Sequence, residues 1–149
     1  MFGEQIKKDD ETVEAEEILN HFKEFLLIFY GAYWSPRAIQ VANSINNFLI
    51  EVNPDDDHGS PLCEVIYVSN DIEKREFKEF YKSMMEESSW CTLKWGDPNL
   101  NKIKNEFSFE SLPCVIVLDR NLRVVTREAA DDLINMDPLV CRAYWISLL

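Results

Sequence analysis

Residues Phe25 to Ala38 read FLLIFYGAYWSPRA, and this stretch decides the fold. Phe25–Tyr30 is an unbroken run of apolar, β-favouring side chains, the pattern of a strand covered on both faces. The whole apolar stretch, Phe25–Trp34, is half of what a membrane-crossing helix needs. Ser35-Pro36 then opens a helix, because proline at the first turn gives up an N–H with no intrahelical acceptor. Behind it Ile39, Ala42, Ile45, Phe48, Leu49 and Val52 recur at helical period. A buried strand therefore feeds a long amphipathic helix.

Upstream, Thr12 is a cap for a helix expected from Val13, with Val13, Ile18, Leu19 and Phe22 on one face. Glu11, Glu14 and Glu17 suit its positive end. Residues 1–11 are then a polar, acidic lead-in, and 12–149 the folded domain.

Downstream, Asn53–Pro61 (NPDDDHGSP) is a polar loop and Cys63–Val68 a second buried strand. Residues 73–86 predict an amphipathic helix through Phe77, Phe80, Tyr81 and Met84. Ser88–Asp97 is irregular around Trp90 and Trp95. A helix over 99–107 groups Leu100, Ile103 and Phe107. Strands follow at Cys114–Leu118 and Leu122–Thr126 across a turn at Asp119–Asn121, and a last helix spans 137–148. The order α-β-α-β-α-α-β-β-α implies an α/β domain: a central mixed sheet, helices on both faces and an antiparallel edge.

The 149 residues are 46% hydrophobic, which suits one domain able to bury its own core. Fifteen basic against twenty-seven acidic residues give a net charge of -12, which repels phosphate backbones and anionic lipid. The expected partners are therefore proteins, with neither nucleic acid nor membrane insertion. Residues 1–20 carry no apolar signal core and no arginine, fitting neither a secretory nor a mitochondrial leader, so the expected location is cytoplasmic. Cys63, Cys91, Cys114 and Cys141 stand more than twenty residues apart, with His21 and His58 near none of them. That spacing offers no zinc site. A calcium loop at Asn53–Gly59 fails too, because its first and twelfth positions would be Pro54 and Val65. No Gly-x-Ser-x-Gly elbow surrounds Ser35 and no glycine-rich phosphate loop occurs. Neither metal nor cofactor is expected.

Two landmarks carry a family resemblance: Trp34-Ser35-Pro36-Arg37-Ala38 after the first strand, and Phe109-Glu110-Ser111-Leu112-Pro113 running into a later one. With the helices between them they resemble the thioredoxin superfamily, in its tryparedoxin and nucleoredoxin-like branch. Thr12–Glu16 and Cys141–Trp145 look like the nucleoredoxin-like proteins, so the resemblance spans roughly 12–146. It implies a thioredoxin-like fold, a cis peptide bond before Pro113 and a peptide groove. Tyr33, Trp34, Pro36, Arg37, Leu112 and Pro113 would line that groove.

The resemblance also implies a dithiol three residues apart at the helix start, where the chain departs from the family. Those positions are Ser35 and Ala38. A serine hydroxyl forms no disulfide and an alanine resolves none, so dithiol exchange at this turn is excluded by covalent chemistry. The expected function is a redox-inactive, nucleoredoxin-like binding or structural subunit of a larger assembly, with ciliary or cytoskeletal and organellar complexes both open. A small peptide-binding chaperone is a second option. The alternative is a residual thiol oxidoreductase or redox sensor through Cys114 or Cys91, set against their being buried structural cysteines.

Overall fold

A computed structural model describes residues 5–8, 11–53, 61–85, 90–109 and 111–149. The strands are β1 (Gln5–Lys8), β2 (Glu11–Glu14), β3 (Phe25–Gly31), β4 (Cys63–Ser69), β5 (Cys91–Thr92), β6 (Cys114–Leu118) and β7 (Val124–Thr126). The helices are α1 (Ala15–His21), α2 (Pro36–Val52), α3 (Lys74–Phe80), α4 (Leu100–Phe107), α5 (Ala129–Asn135) and α6 (Pro138–Ser147). Tyr81–Met85 continues α3 as a π-helical turn.

One mixed sheet runs β2-β1-β5-β4-β3-β6-β7. β3 pairs parallel with β4, and β4 with β5, through the helical crossovers. β6 returns antiparallel beside β3, and β7 antiparallel beside β6. Every residue of β3 except Tyr30 is buried, and so is every residue of β4 and β6. These strands form the centre because their continuous apolar runs must be covered on both sides.

Alternation along the strands divides the core in two. Phe25, Leu27 and Phe29 meet Val41, Ile45 and Phe48 of α2, Phe77 and Phe80 of α3, and Cys141 and Trp145 of α6. Leu26 and Ile28 meet Ile18 and Phe22 on the α1 side, and Ile103 and Phe107 of α4. Each large side chain so covered contributes about 2 kcal/mol. Trp145 packs edge-on against Phe25 at 5.8 Å between centroids and tilted on Phe48 at 5.0 Å, which fastens α6 to α2 and β3. Gly31 closes β3 where a Cβ would stand 3.0 Å from the Phe29 ring.

The structure differs from the sequence expectation in four places. The helix expected from Val13 begins at Ala15, because Glu11–Glu14 pairs antiparallel with Gln5–Lys8, and that pairing outweighs the helical pattern of the glutamates. Five residues of the expected lead-in, Gln5–Lys8 and Glu11, thus lie in strands that extend the sheet beyond β5. The stretch expected to be irregular contains β5, which pairs with β4. The helix expected over 73–86 ends as the π turn, and α5 is an additional helix of seven residues. Of the expected loop at 53–61, residues 54–60 lie outside the described residues, as do residues 86–89 and 110.

Candidate functional site: the turn before α2 and the cleft beside Pro113

The turn 31–35 is held by hydrogen bonds from two directions. Gly31 accepts from the N–H of Asn70 at 2.8 Å, and Ala32 from the N–H of Ser35 at 3.2 Å. The Asp71 carboxylate accepts from the Tyr33 N–H at 2.8 Å and from the Ser69 hydroxyl at 2.9 Å. The Trp95 indole donates to the Asp71 carbonyl at 3.2 Å, so three segments converge on this buried acid. Nearby, burial, reinforced by the Asp71 carboxylate, pushes the Tyr67 hydroxyl well above the usual phenol range.

Ser35 caps α2. Its backbone is extended (φ -96, ψ 112), and its hydroxyl oxygen accepts from the Ala38 N–H at 3.2 Å. Pro36 occupies the first turn. Ser35 and Ala38 are both buried, whereas Trp34 stands 54% exposed. The hydroxyl at the position of a family thiol is thus engaged in capping a helix.

Across from this turn the Leu112–Pro113 peptide bond is cis. Between Pro113 and the start of α2 lies a cleft of about 570 Å³. Arg37 and Asp131 form one lip, joined at 2.5 Å with both side chains more than half exposed. An ion pair so exposed is worth under about 1 kcal/mol. Ser108, Ser111 and Arg127 also line the cleft. The Arg127 guanidinium donates to the carbonyl of Phe107, at the end of α4, where a cation also complements the helix dipole. Ser108 turns the chain there with φ 51.

Of the residues expected in the groove, the cleft brings together Arg37 and Pro113. Tyr33 instead rests edge-on against Phe80 at 6.3 Å, and Leu112 is half-buried. Trp34 and Pro36 are exposed beside the turn without lining the cleft. Sequence reading missed Asp131, Arg127 and Ser108, which come from elements remote in the chain. Ser111 alone had a signal, its place two residues before Pro113.

The two candidate thiols part company. Cys91 is fully buried with Leu93 and Ile103. Cys114 is 8% exposed and lines the cleft next to Pro113. Burial, then the Glu24 carboxylate, pushes the Cys63 thiol up to about 12; burial and then Asp132 push Cys141 to about 12. Among the described residues no helix is long and apolar enough to cross a membrane, and no His, Cys, Asp or Glu cluster could hold a metal ion.

Comparison with known proteins agrees with this architecture. The thioredoxin-like family model matches residues 23–124. Human nucleoredoxin-like protein 1 is 26% identical over 140 residues, 93% of this chain and 64% of that protein. Probable nucleoredoxin 1 of Arabidopsis thaliana is 26% identical over 106 residues, 71% of this chain and 17% of its own length. The chain therefore spans less than two thirds of these relatives. Thioredoxin from Wuchereria bancrofti superposes with a TM-score of 0.75 at 23% identity, covering 97% of this chain and 95% of that one. Tryparedoxin I from Leishmania major gives 0.73 at 22% identity, covering 93% and 88%. With the sheet order, the cis-Pro113 and a matched span of more than half its length, this chain belongs to the thioredoxin-like family.

Proposed function

We propose that this protein is a nucleoredoxin-like binding subunit that performs no dithiol exchange at its motif turn. It holds an extended segment of a partner protein in the cleft beside Pro113, within a larger assembly. The observation that carries this reading is the cap from Ser35 to Ala38: an ordered scaffold and an open cleft persist where the dithiol chemistry has no atoms to run on. Trp34, exposed beside Arg37, is the residue type that anchors protein interfaces. A cytoplasmic, ciliary or cytoskeletal location belongs to the same proposal.

The test is native size in a gentle extract of the source cell, with cross-linking mass spectrometry on the fraction that holds the chain. Recovery in a large particle with cross-links from around Trp34 and Arg37 is the expected result. Recovery free of any heterologous partner overturns it. In parallel, the purified chain should leave dithiothreitol-driven insulin reduction at its uncatalysed rate.

Cys114 favours one second reading, because it alone of the four thiols lines the cleft. Its thiolate would attack glutathione disulfide, forming a mixed disulfide and releasing one glutathione thiolate. A mass increase of one glutathione on Cys114 in the folded protein, absent in Cys114→Ser, is the expected signature of that reading.

A further inference from the structure

At Ser108 the cleft beside Pro113 adjoins a second hollow, of about 380 Å³, lined by Tyr30, Lys104, Asn105, Ser108 and Phe109. Ser108 belongs to both. The aromatic wall of the hollow is a stack: Tyr30, near the end of β3, lies on Phe109 with 4.5 Å between centroids and 6° between planes. Lys104, on α4, sets its ammonium 5.6 Å from the centre of the Tyr30 ring and donates to the Asn70 side-chain oxygen at 3.2 Å. Both of these partners are neutral.

The charges of the two spaces differ. In the cleft, Arg37 and Arg127 stand against Glu128 and Asp131, an even balance. The hollow is lined by one cation and no acid. Among the described residues Lys104 has no carboxylate partner. Burial takes water from its ammonium and so lowers its pKa from the ordinary lysine value. A cation that has exchanged water for a ring face and an amide oxygen is incompletely compensated. Asn105 lines the same space, and its side-chain amide has N–H donors to offer.

We propose that the partner segment held beside Pro113 continues past Ser108 and sets an aspartate or glutamate on Lys104. This rests on the cleft reading above and adds to it the chemistry of the segment. One oxygen of the incoming carboxylate accepts from the ammonium, and the Asn105 amide in the same hollow is available to the other. The acid is selected against the general field of the chain, whose net charge of -12 repels an acidic segment. At physiological ionic strength that repulsion is screened beyond about 8 Å, whereas a contact pair at Lys104 is not. A preference for acid measured at that salt therefore reports on the hollow.

The test is selection of random octapeptides displayed on phage against the purified chain at physiological salt, followed by affinity measurement on the selected peptides. The expected result is enrichment of Asp or Glu at one position. Replacing that acid by its amide should weaken binding by about tenfold, and so should Lys104→Met, with the circular dichroism spectrum unchanged. Lys104→Glu should lose the preference for acid and select Lys or Arg at the same position. Acid selected equally by Lys104→Met and Lys104→Glu overturns the proposal, because another group then receives it. Peptides selected without the acid, yet weakened by Arg37→Ala, overturn it and leave the cleft reading intact. Peptides indifferent to Arg37→Ala, or no selection at all, overturn the cleft reading and this proposal with it.

Discussion

Ser35 and Ala38 are joined by a hydrogen bond: the serine hydroxyl oxygen accepts from the alanine N–H at 3.2 Å. These are the positions where the family resemblance places two thiols, and here they form the cap and first turn of α2. Ser35→Ala removes the cap and should cost about 1 kcal/mol, read as a lowered denaturant midpoint at unchanged slope.

The same geometry makes a gain of function testable. Ser35→Cys with Ala38→Cys sets a thiol at the first turn of α2, where the helix N-terminus stabilises a thiolate. The double variant should form an intramolecular disulfide on oxidation and accelerate insulin reduction, while the native chain does neither. An oxidised double variant with no change in mass or thiol count would mean that the turn has lost its disulfide geometry along with its cysteines.

How much of this was legible beforehand depends on the distance over which each feature is determined. β3 and α2 were readable because an unbroken apolar run and a helical period are local patterns, and Ser35-Pro36 marks a helix start by its own chemistry. β2 was misread because Glu11–Glu14 carries helix-favouring glutamates, and only pairing with β1 makes it a strand. The cleft was half legible. Arg37 and Pro113 stood in motifs, whereas Asp131 reaches Arg37 across 94 residues and Arg127 reaches Phe107 through the fold. No spacing in a single sequence announces such meetings.

Two ion pairs should behave differently under truncation. Arg142 grips Glu24 with two donors, and both side chains are two thirds or more buried. Arg142→Ala leaves the carboxylate without these donors and should cost about 1–3 kcal/mol. Arg37→Ala, at the exposed lip, should cost less than about 1 kcal/mol while weakening peptide binding in the cleft. Thermal melts of the two variants under one buffer check the ordering, and a larger loss for Arg37→Ala would contradict it.

Asp71 ties the turn to the sheet, since one carboxylate accepts from both the Tyr33 N–H and the Ser69 hydroxyl. Asp71→Ala should cost about 1–3 kcal/mol, because it leaves those donors unpaired next to the core. The exposed Trp34 should respond as well, with faster quenching of its fluorescence by acrylamide. Trp95 keeps its hydrogen-bond acceptor in that variant, because its indole donates to the Asp71 backbone carbonyl.

Cys63 and Cys141 contribute to the loss of stability at alkaline pH. Burial leads in raising each from its ordinary value of 9.0 to about 12, so the folded chain keeps both thiols protonated where the unfolded chain releases their protons. A raised folded pKa means that stability is full below the unfolded value and lost as pH climbs toward the folded one. The melting temperature should therefore hold its contribution from these groups up to about pH 9 and fall between 9 and 12. Cys63→Ala with Cys141→Ala is less stable at neutral pH through lost packing, yet its alkaline decline should be shallower. Alkylation supplies an independent reading at neutral pH, because only thiolates react. In the folded protein Cys63 and Cys141 should label far more slowly than after unfolding in guanidinium. Rapid labelling of either in the native state would mean that this part of the core opens to solvent.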